Sequence, residues 1–340
     1  MGSALPIGKL PVELLTRLLA RAPVQDPRVL FGPGVGMDCA VIALDDRCLV
    51  IKSDPITFAT DEIGWYLVQV NANDIATTGA LPRWLMLTAL LPEEQTTPQT
   101  VEQISEQVYS ACKAYGISVV GGHTEITYGL SRPILLGTMI GEIEREKLIT
   151  PKGAAPGDRI LLTKGIPIEA TALAAREFGP RLQDTLGAER LAQARDYLHE
   201  PGISVLRDAQ VAVKAGKVTA MHDPTEGGLS AALWELAQAS GRSLFIDVDA
   251  VPVPTLASEI CRTLDLNPLE SIASGALLLT SPPAEATKIR QALESDGIPC
   301  AEIGEVRAGP PLVFQHSASG ESRLPRPPRD AITRLYEKPS

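Results

Sequence analysis

The chain has 340 residues, is 44% hydrophobic but only 4% aromatic, and carries a formal net charge of -10. That length exceeds the size at which a single core stops growing, so two domains are expected, and aliphatic richness with few aromatics suits helices packed on sheets. The negative charge disfavours nucleic acid and anionic membranes as partners, and no stretch approaches the roughly 20 apolar residues of a membrane span.

Leu14, Leu15, Leu18 and Leu19 recur at helical spacing, so a short amphipathic helix opens the chain and ends at Pro23. Strands are expected at 29–31, 40–44 and 49–53, the last two joined by the Asp45-Asp46 turn. A helix over 62–77 follows, with Ile63, Leu67 and Val70 as its apolar stripe and Gly79 just past its end. Asn71 and Asp74 continue that stripe at helical steps, which places polar groups where the helix meets its core, and buried polar groups need partners. Next come a strand at 84–91, a helix at 98–115, a strand at 117–120 ending in Gly121-Gly122, and a strand at 134–143.

The Pro- and Gly-rich run from Pro151 to Asp158 marks a domain boundary. Beyond it strands at 159–163, 218–221, 244–248, 276–280 and 302–306 alternate with helices at 168–178, 205–215, 229–239 and 284–295. The expected division is a domain over 1–150, a second over 151–316, and a surface tail over 317–340. The five cysteines show neither close pairing nor metal-ligand spacing, which points to a reduced cytoplasm. The N-terminus has no basic region before an apolar run, and Pro6 stands where the myristoylation pattern wants Ser or Thr, so a soluble, unprocessed protein is expected.

Four acidic stations sit beside turn or glycine signals: Asp38, Asp54, Asp74, and Asp223 with Glu226. Gathered in one place, two carboxylates about 4 Å apart repel by roughly 4 kcal/mol at an effective dielectric of about 20. A divalent cation removes that cost, and oxygen-only donors select magnesium or calcium, the former commonly shared with phosphates. Convergence of these segments would make the chain a user of ATP; dispersal would make them ordinary turn residues.

Gly121-Gly122-His123-Thr124 after a strand could bring backbone amides to a phosphate, with His123 polarising an oxygen. Gly227-Gly228 at a helix start offers free amides and the dipole to an anion, with Asp223 and Glu226 at hand for its cation. Lys9 and Lys164 are candidate phosphate cations. No P-loop, Gly-x-Ser-x-Gly or His-Glu-x-x-His motif is present.

Taken in order, Gly36 to Val41, Asp54-Pro55, Asn71 to Pro82, Gly121 to Thr124, Gly153 to Gly165 and His222 to Leu229 resemble the aminoimidazole ribonucleotide (AIR) synthase-related, PurM-like superfamily. Asn73-Asp74-Ile75-Ala76 and His222-Asp223-Pro224-Thr225 look most like its hydrogenase-maturation branch, HypE. The resemblance implies a two-domain α+β and α/β protein. Its N-terminal strands would form a barrel across a homodimer, and its C-terminal domain would be an α/β sandwich of helices on a mixed sheet. ATP and Mg2+ would lie in the cleft between domains. By position, Asp38, Asp74 and Asp223 would bind the metal; Asp54, Asn71, Asn73, Lys9, Gly121, Gly122, His123, Thr124, Thr225 and Gly227 would serve the nucleotide; His123 and Glu226 would be catalytic.

The implied reaction transfers the γ-phosphate to an unidentified small acceptor. The chain departs from HypE in having Glu125 for a lysine, His123 for an aspartate, Ser274 for a glutamate, and no cysteine near its last residues, Tyr336 to Ser340. Met37 replaces a second aspartate found in many relatives. Two alternatives therefore stay open: a HypE-type carbamoyl dehydration, or a nucleotide-binding regulatory protein without turnover.

Overall fold

Alternating hydrophobic residues and two acidic turn residues build the first hairpin, β2 (Ala40–Leu44) and β3 (Arg47–Ile56), in which Leu44 faces Arg47 and Asp45 takes a left-handed φ of 54°. β1 (Val29–Phe31) pairs with β2, and β3 pairs along its whole length with β6 (Ile134–Glu144). β6 then pairs with β4 (Leu81–Pro92), which carries β5 (Ser118–Thr127) parallel at its other side, giving the order β1-β2-β3-β6-β4-β5. A parallel pair needs a crossover, and α3 (Pro98–Ala114) supplies it, capped by Thr97, whose hydroxyl accepts from the Thr100 N–H.

α2 (Ile63–Ala76) packs on β3 and β6 with α3 beside it. Twelve of its fourteen residues are buried, so this helix is enclosed on nearly every side and its polar residues lie inside. Burial of Leu67 and Ile75 alone contributes roughly 2–3 kcal/mol each.

The structure, a computed structural model, describes residues 5, 7–317 and 320–337. It divides the chain into two units: one holds Asp26–Gly32 and Asp38–Leu148, the other the residues up to Gln25, Pro33–Met37 and those from Ile149 on. No described helix is long and apolar enough to cross a membrane. Met1–Ala4 and Pro6, on which the myristoylation reading turned, and Lys338–Ser340 lie outside the described residues.

The larger unit is built on a seven-stranded mixed sheet of β7 (Arg159–Thr163), β8 (Ala220–His222), β9 (Ser243–Asp247), β10 (Leu278–Ser281), β11 (Cys300–Arg307), β12 (Val313–Ser317) and β13 (Gly320–Arg323), ordered β13-β12-β9-β11-β7-β10-β8. Among the described residues, only β12 and β9 run parallel. Leu162, Leu278 and Ile303 from three of these strands join Leu229, Leu233 and Leu236 of α7 (Gly228–Ser240) in one core. α4 (Ile168–Glu177), α6 (Leu206–Ala215) and α9 (Pro283–Ser295) match expected helices. The short helix α1 (Val12–Leu19) forms with no buried residue.

The structure corrects three expectations. α5 (Gly179–Asp196), α8 (Thr255–Thr263), β12 and β13 were not foreseen, because short or polar segments carry weak periodicity. The residues after 316 are not merely a surface tail, since Asp330, Ala331, Ile332 and Thr333 are buried. Gly121-Gly122-His123-Thr124 is not a turn after a strand; it lies inside β5 at the sheet edge. A Cβ on Gly122 would stand 1.7 Å from the Leu87 carbonyl oxygen, so this glycine is required by strand pairing whatever else it does.

Candidate functional site

In the smaller unit, Lys52 and Asp54 stand two residues apart on β3 and so share a face. The Lys52 ammonium lies 3.2 Å from Asp54 Oδ2 and 3.2 Å from Asp74 Oδ2. Burial opposes the lysine charge, but Asp74, Asp54 and Asp38 together hold it well above the ordinary lysine range. Asn71 fixes the strand to the helix: its Oδ1 accepts from the Asp54 N–H at 3.0 Å, and its Nδ2 donates to the Asp54 and Leu67 carbonyls. The neighbouring strand position must be Gly137, because a Cβ there would approach Asn71 Nδ2 to 2.7 Å. Cys39 donates its thiol to the Asp74 carbonyl, and Asn73 is fully buried.

This arrangement gathers Asp38, Asp54, Asn71 and Asp74, four of the expected residues, around one lysine that sequence reasoning had not named as functional. The Lys-x-Asp spacing on a strand was the available signal. The carboxylates that act on Lys52 outnumber its single charge, and their donors are hard oxygens. Magnesium fits that set; zinc, which favours nitrogen and sulfur, does not.

In the larger unit, β8 leads through Asp223 to Gly227 into α7. Asp223 is buried to 0% exposure, and Thr225 Oγ1 accepts from Lys9 Nζ at 3.4 Å. His222 Nε2 meets Glu235 Oε2 at 3.0 Å, and Arg326 reaches Glu235 Oε1 at 3.5 Å while its guanidinium lies over the Trp234 ring. Burial alone would raise the Glu235 carboxyl; the His222 hydrogen bond, Lys9 and Arg326 bring it down to about 2. The Gly227 N–H, expected to face a phosphate, donates to Asp330 Oδ2 at 2.6 Å.

Lys164 is committed elsewhere. Its Nζ donates to the Ser204 carbonyl at 2.6 Å and pairs with Asp208 at 3.3 Å, and burial lowers its pKa. It is therefore an internal tie and not a phosphate cation. His123 and Thr124 lie exposed on β5, where His123 Nε2 contacts Glu125 Oε2 at 3.1 Å. Glu169 and Asp330, both buried, and Glu235 and Arg326 were missed entirely, since single charges in helical or Pro-rich sequence give no pattern.

Two family models match the chain in order: AIR synthase related protein, N-terminal domain, over residues 36–143, and its C-terminal domain over 155–317. A carbamoyl dehydratase HypE of Rhodobacter capsulatus is 30% identical over 245 residues, covering 71% of this chain and 68% of that protein. The chain belongs to the AIR synthase-related family. This family member is also similar to a thiamine-monophosphate kinase of Pyrococcus horikoshii, 27% identical over 311 residues, covering 84% of this chain and 92% of the kinase. Among solved structures, the hydrogenase maturation protein HypE in complex with ATP superposes with a TM-score of 0.70 at 24% identity, over 92% of this chain and 90% of that one, a likeness of fold.

Proposed function

We propose that this AIR synthase-related chain is a magnesium-dependent enzyme that binds ATP and transfers its γ-phosphate to a small acceptor. The observation that carries the reading is the Lys52-centred knot, in which Asp54 and Asp74 each meet the ammonium at 3.2 Å and Asp38 acts on the same charge. The kinase among the relatives and the ATP in the matched HypE structure support it. Magnesium, when bound, would neutralise phosphate charge and lower the barrier to its transfer.

The chain's own residues then have separable tasks. Asp38 and Asp74 would hold the metal, while Asn71 keeps Asp54 aimed by gripping its backbone on both sides. In the other unit Asp223 offers the same hard donor, and Lys9 and Thr225 would meet the nucleotide. Glu226, half-buried at the mouth of α7, is the candidate catalytic carboxylate. His123, with Gly121, Gly122 and Thr124, would contact phosphate from β5. Asp74→Asn is expected to abolish magnesium-dependent binding of a nonhydrolysable ATP analogue by calorimetry; unchanged affinity would remove the metal assignment.

Val119, Val120 and Ile126 on β5, Tyr128 just beyond it and Met86 on β4 are exposed apolar residues of the smaller unit. We assign this surface to a homodimer contact. Val120→Glu should yield a monomer by light scattering, and a wild type that is itself monomeric at micromolar concentration refutes the assignment.

A second reading, HypE-type carbamoyl dehydration, is favoured by the carbamoyl dehydratase relatives. Incubation with ATP and a carbamoyl donor separates the two: a mass adduct on the protein supports dehydration, whereas ADP release on supplying an acceptor, without an adduct, supports phosphoryl transfer.

A further inference from the structure

The residues from 324 to 333 leave the sheet of the larger unit as a proline-rich strap. Pro325, Pro327 and Pro328 have no N–H to donate and fix their own φ, so this stretch forms neither a strand ladder nor a helix. It departs where the Leu324 N–H donates to the Val313 carbonyl at 2.9 Å, and it ends in a buried foot, with Asp330, Ala331, Ile332 and Thr333 each no more than 5% exposed. The matched family domains end at residue 317, so the strap lies beyond them. Between its two fixed ends it crosses the turn 223–227 that joins β8 to α7.

Two side chains of the strap grip that turn, one at each end. At the far end the Gly227 N–H donates to Asp330 Oδ2 at 2.6 Å, while Oδ1 accepts from the Ile332 N–H at 2.8 Å. The same carboxylate accepts from the Ile272 N–H, and the Ile272 carbonyl accepts from the Ala170 N–H at 3.0 Å. One buried carboxylate therefore fastens the turn to the strap and to the loop around Ile272. Gly227 takes a left-handed φ of 86°, and a Cβ there would stand 2.7 Å from Ala231 Cβ and 3.4 Å from Pro327 Cγ, so the strap lies directly on the backbone of the turn.

At the near end the grip passes through Glu235. Arg326 Nη2 lies 3.5 Å from Glu235 Oε1, and its guanidinium sits 5.2 Å over the Trp234 ring of the same helix. Glu235 Oε2 meets His222 Nε2 at 3.0 Å, and His222 is the residue before Asp223. The turn itself is closed by the Gly228 N–H, which donates to the Thr225 carbonyl at 2.9 Å. Asp223, Thr225 and Glu226 thus lie on a short closed turn whose two flanks, His222 and Gly227, are both held from the strap. A carboxylate at the N-terminal end of α7 also meets the positive end of the helix dipole, which favours the Asp330 contact.

We propose that the strap over 324–333 is a clamp for the β8–α7 turn, and that Asp330 and Arg326 are positioning residues, each acting through the residue that it holds. This rests on the preceding reading for what the turn meets. The Gly227 N–H belongs to the clamp, and Asp223, Thr225 and Glu226 are left to the nucleotide and its metal. Side chains that must meet a metal or a phosphate gain from being held beforehand, because ordering a loose turn on binding costs affinity.

The test compares Asp330→Ala, Asp330→Asn and Arg326→Met in the full chain with a control, Asp158→Ala. Asp158 is an equally buried carboxylate that accepts from the Ala155 N–H and from Thr219 Oγ1 at the other end of β8, so its loss should cost stability without touching the turn. In nucleotide-free protein, amide hydrogen exchange over residues 223–228 should be at least tenfold faster in Asp330→Ala and unchanged in the control. Calorimetry with magnesium and a nonhydrolysable ATP analogue should show binding at least tenfold weaker in Asp330→Ala, two- to fivefold weaker in Arg326→Met, and within twofold of wild type in Asp158→Ala. Asp330→Asn, which keeps one acceptor oxygen, should lie between wild type and Asp330→Ala in both measurements. Circular dichroism checks folding, and Asp330→Asn with Arg326→Met carries the test if Asp330→Ala does not fold. Equal exchange over 223–228 in wild type and the folded Asp330 variants overturns the clamp. So does a control that weakens analogue binding as much as Asp330→Ala, because the loss would then follow stability alone. Faster exchange in Asp330→Ala with no analogue binding by wild type would support the clamp and refute the nucleotide reading, so the two fail separately.

Discussion

The two units treat buried negative charge in opposite ways. Around Lys52 the carboxylates of Asp54 and Asp74 meet a cation directly, and the lysine is held charged in spite of its burial. Around Glu169 and Asp330 burial outweighs the hydrogen bonds each carboxyl accepts, and both carboxyls shift upward toward the neutral form. A buried acid must find either a countercharge or a proton, so the first place is organised to keep its charge and the second to gain or lose it. The first place rests on a two-residue spacing on β3 facing Asp74 of α2, the second on hydrogen bonds from one loop to distant segments.

Removing the countercharge should have the largest effect. Lys52→Met would remove the ammonium 3.2 Å from Asp74, whose side chain is 3% exposed, and breaking a buried pair from one side costs about 3–5 kcal/mol. Urea unfolding of the variant should show that loss. Millimolar magnesium should recover more stability in the variant than in wild type, because the metal would replace the missing charge. A loss below about 1 kcal/mol would mean that Lys52 does not carry the balance assigned to it.

The uncompensated acids predict the opposite sign. The Glu169 carboxyl rises from 4.5 unfolded to about 7 folded, so its favourable contribution is complete below pH 4.5 and disappears as pH passes 7. Above pH 7 the ionised group costs stability, about 3 kcal/mol as an upper bound from that shift. Glu169→Gln should therefore be more stable than wild type at pH 8 and nearly equal to it at pH 4, as read by thermal unfolding at the two pH values. Equal differences at both pH values would show that the carboxyl does not titrate between them.

This contrast also explains what the sequence disclosed. The apolar stripe of α2 announced that Asn71 and Asp74 would point inward, and the structure buries both. The Lys52-x-Asp54 spacing was equally readable, but a lysine two residues from an acid on a strand is too common to mark a site by itself. Glu169 and Asp330 left no trace, because their meeting depends on the Ile272 loop, which joins segments some 160 residues apart by backbone hydrogen bonds that any residue could make. Gly121-Gly122 misled for a related reason. Two glycines signal close backbone approach, and here what approaches Gly122 is the neighbouring strand β4 rather than a turn's own amides.

Glu235 lies between the two extremes and gives the smallest expected effect. Its buried carboxyl is held down to about 2 by three partners, His222, Lys9 and Arg326, so no single one is indispensable. Arg326 also lies 5.2 Å over the Trp234 ring, a contact that contributes of the order of 1 kcal/mol. Arg326→Met retains much of the stem's packing and leaves two partners in place, so a loss of about 1–2 kcal/mol at pH 7 is expected. Because the folded value lies below the unfolded 4.5, the stabilisation from Glu235 is complete above pH 4.5 and fades as pH falls toward 2. The variant's acid unfolding, followed by circular dichroism, should therefore begin at higher pH than that of wild type. If Arg326→Met instead loses as much as Lys52→Met, charge at Glu235 is not shared among three partners, and the larger unit would depend on one cation as the smaller one does.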